Sequence, residues 1–208
     1  MVKTYGPMFS LDASGTIANA ITFSKWKGRS YARQRVIPSN PKSVLQVSMR
    51  AMMKFLTQEW AGIESTPKGS WDERAAAANI SPFNSFIGVN QSLWREFSTP
   101  SQTDPIPLTG TLPVAVLTSA VGGPAHMDVT FTITTPNDAW GVILFRSPTG
   151  TFTPSISNAI AVLPYTTAAA HVYTDSNLVA GAYYYDARWF TKEGVMGPDE
   201  GEVTGTAT

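Results

Sequence analysis

Between residues 20 and 36 apolar and polar side chains alternate, and the alternation breaks at Lys27-Gly28. A period of two is that of a β-strand, and a two-residue break ending in glycine reads as a hairpin loop. With that loop fixed, Trp26 faces Arg29, Ser24 faces Tyr31 and Thr22 faces Arg33. One face then carries Ile21, Phe23, Ala32 and Val36, and the other Trp26, Arg29, Tyr31, Arg33 and Arg35. Ser39-Asn40-Pro41 closes the strand, with Asn40 and Pro41 suited to an N-cap and a first helical turn. The period then lengthens. Leu45, Met49, Met52, Leu56 and Trp60 recur at steps of four, three, four and four, an amphipathic helix of about 20 residues. Ser70-Trp71-Asp72-Glu73 reads as a capping box for a short Ala-rich helix over 74–78. Ser81-Pro82 caps a third, with Phe83, Phe86, Ile87, Asn90, Leu93, Trp94 and Phe97 along one side.

After residue 99 the texture changes. Thr99-Pro100-Ser101-Gln102-Thr103-Asp104-Pro105-Ile106-Pro107 reads as an extended linker, because each proline fixes φ and removes an amide donor. Beyond it short β-rich runs recur: Val114–Val121, Met127–Thr135, Trp140–Ser147, Ala159–Leu163, Ala170–Thr174, Tyr183–Phe190 and one near Glu202–Thr204. Turn signals separate them at Gly122-Gly123-Pro124, Pro136-Asn137-Asp138, Pro148-Thr149-Gly150, Gly181 and Gly197-Pro198. About seven strands in roughly 95 residues is the pattern of an immunoglobulin-like sandwich. The expected fold class is therefore an α+β N-terminal module, a β-hairpin plus helices over 1–99, then a Pro-rich linker over 100–110. An all-β immunoglobulin-like sandwich follows over 111–208.

The run from Leu178 to Trp189, containing Tyr183-Tyr184-Tyr185, resembles the penultimate strand of fibronectin type III domains. In that family a leucine precedes the corner tyrosine by six residues, which implies Tyr184 for that role. Val142-Ile143-Leu144-Phe145-Arg146-Ser147 followed by Gly150 resembles the family's third strand. The usual second-strand tryptophan is absent, and Phe131 is the expected substitute.

The chain has 208 residues, no cysteine and a formal net charge of zero. Disulfides, thiolate metal sites and thiol nucleophiles are thereby excluded. No apolar run approaches the ~18–20 residues of a membrane span. The start, Met1 to Pro7, has no apolar core of the signal-peptide kind, so synthesis in a cytoplasm is expected. The zero net charge conceals a split: residues 1–100 hold twelve Lys or Arg and six acids, and the remainder three and nine. His126 and His171 stand apart, and no HExxH, GxSxG, P-loop or GxGxxG string occurs. Asp72-Glu73 suits helix capping. Asp199-Glu200-Gly201-Glu202 lacks the spacing of a calcium loop. The expectation is a non-enzyme without catalytic residues, metal or cofactor.

One constellation remains. From Lys25 to Lys54 lie eight basic residues and no acid, with Trp26 and Tyr31 interleaved. Such a surface suits an acidic subunit face or nucleic acid. Trp26, Arg29, Tyr31, Arg33 and Arg35 are the candidate anchoring residues. The order Ser14-Gly15-Thr16-Ile17-Ala18, Phe23-Ser24, Lys27 to Arg33 and Pro38-Ser39-Asn40-Pro41 resembles a kind of bacteriophage structural protein. The basic helix ending at Trp60, the later Trp71 and Phe83 to Gln91 follow the same layout. The resemblance implies a virion component present in many copies, at the head surface, neck or tail. It implies a homo-oligomer whose partners are capsid, portal or tail proteins, without membrane contact. Two alternatives stay open: a carbohydrate- or host-surface-binding module using Tyr183, Tyr185 and Trp189, and a DNA-contacting capsid or neck protein using the basic segment.

Overall fold

The computed structural model describes residues 2–3, 15–18, 20–37, 39–108, 115–133, 139–164, 170–199 and 201–208. Ser14, Pro38, residues 109–110 of the expected linker, Val114, Thr134 to Asp138 and Glu200 lie outside the described residues, as does most of the chain before Gly15. The chain forms two compact units, Met1–Pro41 and Lys42–Thr208.

The first unit is a small antiparallel sheet. Its strands are β1 (Val2–Lys3), β2 (Gly15–Ile17), β3 (Ile21–Trp26) and β4 (Arg29–Gln34), in the order β1-β4-β3-β2. The β3–β4 register pairs Trp26 with Arg29, Ser24 with Tyr31 and Thr22 with Arg33, as the alternation requires. Lys27 and Gly28 both have positive φ, 48° and 76°. That is the primed hairpin turn whose twist matches the flanking strands, and it explains why glycine occupies the second position.

The second unit is built in three layers. Its two sheets comprise β5 (Ala115–Gly123), β6 (His126–Ile133), β7 (Ala139–Ser147), β8 (Ala159–Pro164), β9 (His171–Ser176), β10 (Gly181–Thr191) and β11 (Val203–Ala207). The orders are β5-β6-β9 and β11-β10-β7-β8, all antiparallel. Two sheets of three and four strands, with the chain switching between them after the second, fourth and fifth, make an immunoglobulin-like sandwich. Met127, Val129, Phe131, Val142, Leu144, Tyr185, Ala187 and Trp189 fill the space between the sheets. Phe131 meets Trp189 edge-on at 5.7 Å. At one side the sheets touch: Gly122 lies so close to the Thr206 carbonyl of β11 that a side chain has no room there.

The other face of the larger sheet is also apolar. Trp140, Ile143, Phe145, Val162 and Phe190 point away from the sandwich core and join a second cluster with Met52, Phe55, Leu56, Trp71, Phe86 and Trp94. Those partners come from α1 (Val44–Glu59), from Trp71 immediately before α3 (Asp72–Ala78) and from α4 (Pro82–Arg95), with a one-turn helix α2 (Ser65–Gly69) between α1 and α3. Helix α1 therefore sits as the spacing of Met52 and Leu56 demands, although Leu45 is half exposed and Phe55 and Ser48 are buried instead. A serine is tolerated because the Trp94 indole donates to its hydroxyl at 3.0 Å.

The expected domain boundary is corrected by this packing. The helices belong with the sandwich, not with the hairpin, because the apolar outer face of β7 and β10 requires cover. The expected linker is a strap. Thr99, Pro100, Ser101 and Gln102 are buried. The Asn90 amide of α4 accepts from the Ser101 N–H at 2.8 Å and donates to its carbonyl at 3.0 Å. The Gln102 N–H and Ser101 hydroxyl donate to the Lys192 carbonyl, and the Thr99 hydroxyl to that of Gly194. Two caps also differ. Ser43, not Asn40, precedes α1. The Ser70 hydroxyl donates to the Pro67 carbonyl and accepts from the Asp104 N–H, so no capping box forms. Ser81 caps α4 as expected, accepting from the Asn84 N–H at 3.2 Å.

Candidate functional site

On one face of the first unit the backbone register places Trp26, Arg29, Ser24, Tyr31, Thr22 and Arg33 together. Trp26 is 66% exposed, Arg29, Arg33 and Arg35 are exposed, and Tyr31 is half-buried. Side chains two apart on a strand stand roughly 7 Å from one another, so Arg29, Tyr31 and Arg33 form a comb, and Arg35 continues it just past β4. The Arg35 N–H donates to the Ala20 carbonyl at 2.7 Å, which fixes the chain as it leaves the sheet. At the turn the Lys27 ammonium lies 4.8 Å from the Trp26 ring centroid, a cation–π contact that brings a further charge to the same end. Thr16 and Thr22 hydroxyls, 3.2 Å apart, extend the face to β2. Arginines in such a row, with an indole beside them, suit a carboxylate- or phosphate-bearing surface. Four of the five candidate residues therefore fall on one face of a short sheet by strict strand pairing, and Arg35 lies just past the end of β4.

In the second unit several charged groups are engaged between elements. Arg146 on β7 meets Asp175 on β9 at 2.7 Å, and the Tyr185 hydroxyl on β10 donates to the same carboxylate oxygen at 2.9 Å. Burial, and then the Asp175 charge, push the Tyr185 phenol well above its ordinary value. Trp140 donates to the Glu59 carboxylate of α1 at 2.9 Å, and desolvation raises the Glu59 pKa although that hydrogen bond opposes it. His126 contacts the Pro124 carbonyl at 3.0 Å, and His171 stacks on Phe131 at 5.8 Å. Among the described residues no group of three His, Asp or Glu converges as metal ligands would. No helix of the described residues is long and apolar enough to cross a membrane.

The aromatic residues considered for glycan contact are placed in the interior. Tyr185 and Trp189 are fully buried between the sheets, and Tyr183 packs against that core. Tyr183 takes the corner role expected of Tyr184, its hydroxyl donating to the Val179 carbonyl at 3.0 Å. The reason is parity: inward positions on β10 are odd-numbered, so Tyr184 points to the other face. A shallow groove of about 480 Å³ lies between Trp60, Lys68, Asp72, Pro82 and Phe83, and its polar lining residues are exposed or half-exposed.

No protein-family model matches the chain, and no curated protein does. Among solved structures it is similar to a β-1,2-glucanase from Parabacteroides distasonis, at 22% identity with a TM-score of 0.40, over 50% of this chain and 14% of the glucanase. It is also similar to a Fn3-like protein from Clostridium thermocellum, at 20% identity and a TM-score of 0.36, over 47% of this chain and 96% of that one. The PKD domain of an M14-like peptidase from a Thermoplasmatales archaeon gives 17% identity and a TM-score of 0.33, over 48% and 98%. These are likenesses of fold alone. The immunoglobulin-like assignment stands on the strand order itself.

Proposed function

We propose that the chain is a non-enzymatic bacteriophage virion structural protein that assembles in multiple copies through its cationic first unit and carries an immunoglobulin-like domain. The observation that supports this reading best is the comb of Trp26, Arg29, Tyr31 and Arg33 on one face of a separate 41-residue unit. That unit holds six basic residues and one acid. An exposed indole flanked by arginines has the composition of a subunit contact, where Trp, Tyr and Arg supply most of the binding energy. Carriage in many copies would also make weak contacts by the sandwich effective, since each further engagement is intramolecular. The order of motifs over residues 10–95 that resembles phage structural proteins supports the same reading.

Charge reversal tests it. Arg33→Glu together with Arg35→Glu is expected to lower incorporation into particles at least about tenfold, measured by mass spectrometry of virions purified from cells carrying the encoding genome. Far-UV circular dichroism shows whether the variant retains its fold. Normal incorporation of the variant, or an enzymatic turnover by the purified chain, overturns the proposal. The same comb suits a DNA backbone. Affinity for duplex DNA that falls steeply with salt, with a slope reduced in the variant, would support that second reading.

A further inference from the structure

We propose that the carboxyl groups of Asp186 and Asp199 form a proton-held latch that fastens residues 196–199 to β10, and that the latch opens as pH rises. This lies outside the assembly role above and concerns the second unit alone.

The geometry is specific. Asp186 stands in the middle of β10, paired with Phe145 of β7, and is only 2% exposed. Its side chain is hydrogen-bonded to that of Asp199, which belongs to the segment leading into β11. Two carboxyl groups that share a hydrogen bond need a proton between them, and two bare carboxylates at that separation repel. The buried partner is the one that keeps the proton, because an ion is least tolerable where water is excluded.

The surrounding charges agree. Arg188, two residues along β10, reaches the Asp199 carboxylate at 3.6 Å, and the Gly201 N–H donates to it at 3.2 Å. Asp199 is thus equipped to stay ionised. Among the described residues Asp186 accepts the Ala187 N–H, at 2.6 Å, and this bond and the Arg188 charge favour its ionised form without offsetting its burial. On the same face of β10 lies Tyr184, while β7 presents Phe145 and the helical layer beyond presents Phe97, neither of them charged. Glu202 lies beside Gly150 and the Tyr184 ring, and Glu200 lies outside the described residues. Burial first, then the hydrogen bond and charge of Asp199, raise the Asp186 carboxyl to about 7. Burial works against Asp199, but its hydrogen bonds to Asp186, Gly201 and Arg188 prevail and hold it below the usual carboxylate range.

Among the described residues the segment is also held by the Gly197 N–H, which donates to the Trp189 carbonyl, by the bridge of Met196 to Phe190, and by the Arg188 guanidinium, which touches the Met196 sulfur at 3.8 Å. Loss of the shared proton leaves a buried anion facing another anion. Release of residues 197–199 is the relaxation that rehydrates both.

Carboxyl carbon NMR on aspartate-labelled full-length protein reads the latch directly. The Asp186 resonance is expected to titrate near neutrality. Hydrogen exchange at residues 197–199, corrected for intrinsic pH dependence, is expected to quicken at least about tenfold across the same range. Asp186→Asn removes that step. Asp199→Asn returns the Asp186 titration towards the ordinary carboxyl range. The proposal is overturned if Asp186 in the unmodified protein titrates with the exposed aspartates, or if exchange at 197–199 follows intrinsic rates through neutrality. Both readouts exist without any variant, so a variant that fails to fold does not blunt the test.

Discussion

At Asp175 three strands converge on one carboxylate. Arg146 comes from the larger sheet, Asp175 from the smaller, and Tyr185 closes the triangle from β10. Removing one member of a buried ion pair strands the other, at a cost of about 3–5 kcal/mol. Asp175→Ala is expected to destabilise the protein by roughly that amount in denaturant unfolding. Tyr185→Phe, which keeps the ring and loses one hydrogen bond to a charged acceptor, is expected to cost about 1–2 kcal/mol. The Asp186 carboxyl sets a pH dependence of opposite sign to that of an ordinary paired carboxylate. Its pKa is raised on folding, so the stability it permits is complete below about pH 4, declines as pH rises, and is lost above its folded value of about 7. Asp186→Asn flattens that part of the curve. The sequence did not announce this pair, since thirteen positions of separation carry no periodic signal. Parity along β10 was available, and it places Asp186 opposite in phase to the buried Tyr185 and Ala187.

At the scale of elements, the two periodicities were legible and the contacts between elements were not. The Lys27-Gly28 hairpin emerged with the register read from alternation, and with it the shared face of Trp26, Arg29, Tyr31 and Arg33. Helices α1 and α4 followed the apolar spacing of Met52, Leu56, Phe86 and Trp94. The strap over 99–104 was misread because proline composition alone does not distinguish a solvated linker from a buried one. What seats the strap is Asn90, which mimics a neighbouring strand by pairing with both backbone groups of Ser101. Trp71 adds a bond to the Gln102 carbonyl at 2.8 Å, and Arg74 grips Asp104 with two bonds of 2.6 and 2.8 Å. Asn90→Ala leaves two buried backbone groups without partners and is expected to cost about 2–3 kcal/mol. Native-state hydrogen exchange should show amides 101–103 losing protection before the strands do.

For the whole molecule, one signal bearing on the true boundary was present and went unused. Residues 140–145 are apolar almost without interruption, whereas a sandwich strand open to water on one side alternates. A strand buried on both faces requires a third layer, and α1 with α4 supplies it. It follows that residues 42–208 should unfold as one cooperative body without the hairpin unit. Residues 111–208 expressed alone should expose Trp140, Ile143, Phe145 and Phe190, bind a hydrophobic dye and aggregate. Calorimetry and dye fluorescence on the two fragments check this.

The meeting of Gly122 with the Thr206 backbone bears on how the edge of the sandwich is guarded. A sheet with a spare edge invites another chain to zip onto it. Here β5 and β11 approach backbone to backbone at Gly122 and at Gly205, so a foreign strand finds no gap to enter on that flank. A single methyl group at position 122 would wedge the seam apart.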